Sequence, residues 1–301
     1  MFLITSKSII QLFLLILAGI LLYKLRIVKD EGLPTINGIL LHAALPALLF
    51  RSFQMDILFE NRSLLTEALG LSLFYQLFTL LLCFIFIRKG DDKGIERCSA
   101  AFTNNAFVAV PLLSSIFGDV GAFYASATNV ISSFLIWSLI PMMLTGRTSA
   151  KEFIKQVFND KVIVCIFALI LLLLNIRVPD MIMTPIGYLA NLTTPLAMIS
   201  IGMVIAASDI KGLINGRVMW ISFLRLIVTT FIVCFALKLF VKDNVQFVSF
   251  CVLTATPTGT LTTILAENAG INSEKASGIF LVTTIFCAVT IPLTVLIMTA
   301  V

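Results

Sequence analysis

The chain has 301 residues, of which 59% are hydrophobic and 12% charged, with a mean hydropathy of +1.06 and a net charge of +5. A soluble domain carries about 25% charged residues, so this composition excludes a soluble globular protein and makes lipid most of the chain's solvent. The positive balance calls for no nucleic-acid partner, because the basic residues gather at segment ends, as topology signals do.

In chain order, ten apolar segments reach spanning length, at about 7–24, 35–54, 64–87, 97–117, 120–144, 161–177, 182–207, 217–240, 246–268 and 276–299. The first, with its apolar run from Ile9 to Tyr23, lacks a small-x-small cleavage site and is followed by Lys24, Arg26 and Lys29. It reads as a retained span rather than a cleaved signal. The only polar stretch of any length, Thr145 to Lys161, divides the segments five and five. This predicts a first unit at 1–145, a linker at 146–160 and a second unit at 161–301. An odd number of spans per unit sends the second unit into the membrane upside down, which makes an inverted repeat. Fourteen of the 21 Lys and Arg residues fall on the odd-to-even connections and six on the other side. The first side is therefore predicted to be cytoplasmic, with both termini outside.

Two spans are interrupted. Asn104-Asn105-Ala106-Phe107-Val108-Ala109-Val110-Pro111 breaks the fourth, and Thr254-Ala255-Thr256-Pro257-Thr258-Gly259-Thr260 breaks the ninth. Gly118 follows Asn104, and Gly270 follows Thr256, at identical spacing. Matched interruptions in two halves of a membrane protein point to a transporter's binding site. Freed backbone groups survive there only beside a wet cavity or inside protein, and a half-helix N-terminus suits an anion. Asn104, Asn105, Pro111, Thr256, Pro257, Thr258, Gly259 and Thr260 are the predicted substrate-binding set. A single proline would more simply kink its helix; two matched breaks flanked by Asn and Thr favour a site.

Pro46 in span 2 and Pro195 in span 7 are predicted to shape their helices. His42, the only histidine, and Glu267 are candidates for proton or ion coupling, against plainer readings as a helix–helix hydrogen bond and a solvated interfacial carboxylate. Arg225, about 12 Å inside span 8, is shallow enough to snorkel, with pairing to another span as the alternative. Arg51 and Glu67 read as interfacial. The six cysteines are scattered without a metal or redox pattern, so they read as packing. Phosphate-loop and HExxH motifs are missing, and the lone His42 sits among apolar residues, so no metal, cofactor or enzymatic reaction is predicted.

Five places resemble the auxin efflux carrier family of permeases, which includes bacterial small-carboxylate permeases. They are Leu45 to Phe50; Asn104 to Leu112; Leu192 to Gly202, with Thr193-Thr194-Pro195; Ala255 to Gly259; and Thr283-Thr284 with Pro292. Asn105, Ala106 and Ala109 stand where the family pattern has Thr and two Gly. The resemblance implies an all-α polytopic protein of two inverted five-helix repeats, with broken helices 4 and 9 crossing near the membrane centre. It further implies a bacterial inner-membrane carrier of small organic anions with elevator-like alternating access, and scaffold faces that allow a homodimer. A sodium-coupled symporter of bile-acid-transporter-like architecture, a passive channel and a ligand-binding receptor remain the other readings.

Overall fold

The computed structural model describes all residues except 1, 30, 61, 91, 146–159, 208–209, 269–270, 272–273 and 301. The predicted linker therefore lies outside the described residues, apart from Asp160, and Gly270 does too. Among the described residues the chain is all helical but for one isolated β-bridge. Helices α1 (Phe2–Lys24), α2 (Gly32–Ser52), α3 (Asp56–Glu60), α4 (Arg62–Phe86), α5 (Lys93–Ala101) and α6 (Val110–Thr145) form the first part. The second part holds α7 (Asp160–Leu173), α8 (Asp180–Ala207), α9 (Ile210–Leu213), α10 (Gly216–Lys238), α11 (Asn244–Ala255), α12 (Thr260–Asn268) and α13 (Glu274–Ala300).

Among the described residues, six helices are long and apolar enough to span a bilayer: α2, α4, the Val120–Leu144 part of α6, α8, α10 and α13. The chain is thus a multi-pass membrane protein. The fourth and ninth predicted segments are not continuous helices: the fourth is α5, non-helical Phe102–Asn104 and the start of α6, and the ninth is the short helices α11 and α12 separated by Thr256–Gly259. The sixth is shorter than expected, with α7 covering 14 residues. Large apolar side chains stand outward on α1 (Leu14, Leu17, Leu21), α4 (Leu77, Leu81) and α7 (Phe167, Ile170). In water such surfaces would aggregate; in a bilayer they are the solvent contact.

Polar residues mark the opposite faces. On α4, Ser72, Tyr75, Gln76, Thr79 and Cys83 recur at helical spacing, and all are buried. On α10 the buried stripe is Ser222, Arg225, Thr229, Thr230 and Cys234. Prolines tune the helix path locally. Pro46 follows a π-helical turn at Leu40–Ala44, and the break segment before Pro111 is also π-helical, at Asn105–Ala109. A proline cannot donate to the carbonyl four residues back, and widening the preceding turn relieves the clash without ending the helix. Pro195 lies in the first turn of the Thr193–Ala207 segment of α8, just past a bend at Leu192.

One ion cluster ties the ends of α5, α10 and α13 together. Arg217 grips Glu96 through two hydrogen bonds, Nη2 to Oε2 at 2.6 Å and Nε to Oε1 at 2.9 Å. Lys275 reaches Asp92 at 2.7 Å and Glu96 at 3.4 Å. The Glu96 side chain is only 1% exposed, whereas that of Arg217 is 39% exposed. Removing Arg217 would strand a buried carboxylate with Lys275 alone. Arg217→Ala is expected to cost about 3 kcal/mol, the low end for breaking a buried pair because Lys275 remains. Thermal unfolding in detergent checks this, with Glu96→Gln/Arg217→Ala expected to recover part of the loss.

Candidate functional site

The two predicted interruptions meet. Residues Thr103 and Thr258 form an antiparallel bridge. The Asn104 N–H donates to the Pro257 carbonyl at 2.9 Å, and the Gly259 N–H donates to the Phe102 carbonyl at 2.9 Å. Each break thus satisfies backbone groups of the other, the condition for keeping irregular chain at membrane depth. Gly259 suits the closeness of the two backbones, since a Cβ there would lie a tight 3.2 Å from the Thr103 carbonyl oxygen.

A buried chain of hydrogen bonds supports the first break. Tyr75 hydroxyl bonds the Thr103 hydroxyl at 3.0 Å, and Thr103 donates to Asn105 Oδ1 at 2.7 Å. Asn105 Nδ2 donates to Ser132 Oγ at 3.0 Å, Ser132 donates to Gln76 Oε1 at 2.9 Å, and Gln76 Nε2 donates to the Ala101 carbonyl at 2.9 Å. Sequence reading missed Gln76 and Ser132. The second break is held likewise. Thr258 donates through its hydroxyl to the Ser99 carbonyl at 2.7 Å, and its N–H donates to Thr283 Oγ1 at 3.1 Å. The Thr256 hydroxyl donates to the Leu253 carbonyl at 2.7 Å. The side chains of Asn105, Thr256 and Thr258 are therefore taken up inside the protein.

Asn104 differs. Its residue is 3% exposed, its carbonyl accepts from Val108 and Ala109, and its side-chain Nδ2 has no partner. Ser99 Oγ and Thr262 Oγ1, each close to the bridge in sequence, are also buried without partners. Buried donors left unpaired cost free energy, and a functional role is one explanation for keeping them.

Two cavities flank this centre and share no lining residue. The larger, about 670 Å³, lies against the C-terminal end of α2 and the start of α8 and borders Val110, Ser114 and Ser126 of α6. The smaller, about 250 Å³, lies against the start of α2 and the end of α8 and borders Thr260 and Thr263 of α12 and Phe280 of α13. They sit toward opposite ends of α2 and α8, each beside the helix that follows one break. An apolar cluster including Leu45, Leu49, Val108, Met198 and Phe280 is packed at the same interface. Of the described predicted site residues, Thr260 is the one that borders either of these two cavities, at the N-terminal end of α12, where free N–H groups and the helix dipole favour an anion.

The remaining candidates lie elsewhere. His42 is exposed on the π-helical turn of α2 and lines neither cavity. Pro111 and Glu267 are in helices, but their side chains fall outside the described residues. Gly118 breaks α6 with φ 61. Arg51 borders the larger cavity and donates to Asn191 Oδ1 at 2.8 Å. Arg225 does not snorkel: it is fully buried, and its Nη2 donates to the Thr256 carbonyl at 3.1 Å. Its depth along the span was legible, but its face was not used; it falls on the polar stripe of α10 that turns inward.

Comparison with known proteins agrees with this architecture. The family profile described as Membrane transport protein matches residues 4–153 and 145–295. An uncharacterized transporter of the archaeon Methanothermobacter thermautotrophicus is 23% identical over 305 residues, covering 96% of this chain and 97% of the relative. An uncharacterized transporter of Methanocaldococcus jannaschii is 24% identical over 213 residues, covering 66% of this chain and 68% of the relative. The relatives found are thus archaeal rather than bacterial. With the family profile covering nearly the whole chain, the protein belongs to the membrane transport protein family, that of the auxin efflux carriers, and is a transporter rather than an enzyme.

Proposed function

We propose that this transporter is a secondary carrier of small organic anions such as carboxylates, working by elevator-like alternating access in the plasma membrane. The observation that carries the proposal is the unpartnered amide of Asn104 at the meeting point of the two broken helices. Asn104 and the Thr256–Thr260 turn then form the substrate site, with Pro111, Pro257 and Gly259 shaping its backbone. The chain crosses ten times as two inverted repeats, 1–145 and 161–301, with the basic connections cytoplasmic and both termini outside. Three correspondences between the halves support the repeat. Each has a broken helix, each has a cavity beside the helix after its break, and each has a buried side chain from its third span capping a carbonyl at the break. That side chain is Gln76 on Ala101 in one half and Arg225 on Thr256 in the other. The apolar packing around Val108 and Phe280 suits a carrier, in which access alternates, better than an open pore.

A thermal-shift screen of the purified protein against small carboxylates, amino acids and neutral solutes tests the substrate class. A ligand that binds only the native state raises its stability by RT ln(1 + [L]/Kd). At 100 times Kd the expected gain is about 2.7 kcal/mol. Stabilisation by neutral solutes with none from any carboxylate would reject the anion reading.

A further inference from the structure

Arg225 raises a question the binding site alone does not answer. Its guanidinium is fully buried within a membrane-spanning helix, where a cation is costly and by default functional. Among the described residues no carboxylate pairs with it; the titratable groups near it are Tyr75, Cys83 and Cys234. Its Nη2 holds the Thr256 carbonyl and its Nε has no partner. What surrounds it is backbone with negative character. Helix α11 ends at Ala255, so its last carbonyls and the negative end of its dipole face the break. Helix α5 ends at Ala101 on the other side of the bridge. Two half-helix C-terminal ends therefore converge on one region. In transporters built from broken helices, freed carbonyls of this kind coordinate a coupling sodium ion. Here the first-half end is capped by a neutral amide, Gln76, and the second-half end by a cation.

We propose that Arg225 is a built-in counter-cation: its guanidinium holds the carbonyl end of the second break that a bound alkali ion would otherwise hold, so that the carrier works without sodium. The π-helical turn Leu224–Thr229 carries Arg225 and is braced by Thr229 and Thr230, both of which donate to its carbonyl. Thr230, which follows the turn, shares its one hydroxyl hydrogen between that carbonyl and the Thr254 carbonyl at 3.0 Å, so a neighbouring hydroxyl serves the same helix end. Guanidinium is weakly hydrated and always charged, which suits it to a dry, permanent role of this kind. The proposal rests on the carrier reading for its word "carrier" alone; the charge balance at the break stands independently of any substrate.

The test uses the full-length protein in detergent and needs no substrate. Thermal unfolding is followed in NaCl, KCl and choline chloride at equal ionic strength, for the native protein and for Arg225→Ser, Arg225→Lys and Arg225→Gln. The native Tm is expected to be the same in all three salts, and Arg225→Lys to stay close to it. Arg225→Ser is expected to lose several degrees in choline chloride and to regain a clear part of that loss in NaCl. A native Tm that rises with sodium over choline overturns the proposal, because the cation place is then still open. An Arg225→Ser protein that is destabilised equally in every salt also overturns it, since hydrogen bonding alone would then explain the residue. Where Arg225→Ser does not fold, equal Tm values for the Lys and Gln variants would do the same. The anion screen is separate: its failure would remove the carboxylate substrate and leave these cation responses intact.

Discussion

Replacing Asn104 by Ala is expected to weaken substrate binding about tenfold to a hundredfold while leaving the protein as stable as before or slightly more so. The two parts follow from one fact, that the buried Nδ2 has no partner within the protein. An unpaired buried donor already bears its desolvation cost, so deleting it restores what burial lost. A hydrogen bond to a charged ligand contributes about 1.5–3 kcal/mol, so Kd should rise between about tenfold and a hundredfold. Asn105→Ala is the internal control. Its side chain joins Thr103 to Ser132, so truncation removes two buried hydrogen bonds, leaving Thr103 with Tyr75 alone and Ser132 with Gln76 alone, and should cost about 1–3 kcal/mol of stability. Titration of a stabilising carboxylate into both variants, alongside their unfolding curves, separates the two cases. Equal loss of stability in both would show that Asn104 is structural, and an unchanged Kd in a stable Asn104→Ala protein would remove it from the site.

The neighbouring asparagines show what the sequence could and could not tell. Both were visible as polar residues in an apolar span, and both breaks were visible from Pro, Gly and Thr within runs that should have been helical. That one asparagine is bonded within the protein and the other is not depends on which side chain faces Ser132, which no spacing reveals. The bridge between Thr103 and Thr258 is a contact between residues 155 apart, and its register depends on backbone pairing rather than on side-chain pattern. Gln76 and Arg225 were legible in principle. Each lies on a polar stripe at intervals of three and four along an otherwise apolar helix, and in lipid such a stripe must turn inward. Counting depth along the span, without asking which face, left Arg225 open between snorkelling and pairing with another span.

Gly202→Val should be the most destabilising single substitution in the helical frame, because nothing around it can yield except backbone. A Cβ at Gly202 would fall against the Ile16 carbonyl oxygen of α1, and a Cβ at Gly19 would fall against the Ile199 carbonyl oxygen of α8. The two glycines face each other across the α1–α8 contact and let the two backbones touch, the small-residue packing by which helices associate in lipid. A clash with a flexible side chain is relieved by a new rotamer; a clash with a carbonyl is relieved only by moving the helices apart. Overpacking costs about 1–3 kcal/mol, occasionally more, and the backbone contact places Gly202→Ala near the top of that range and the valine beyond it. Gly70→Ala, on α4, is the contrast, since no atom lies within 4 Å of the new Cβ. It should stabilise by up to about 1 kcal/mol through helix propensity alone. The pair Gly19→Ala and Gly202→Ala carries the sharper test. Once either substitution has separated the helices, the second finds room, so the double variant should lose clearly less than the sum of the single losses. Strict additivity in a thermal double-mutant cycle would mean that each glycine clashes on its own account, and that the two helices are not held together as one close-packed pair.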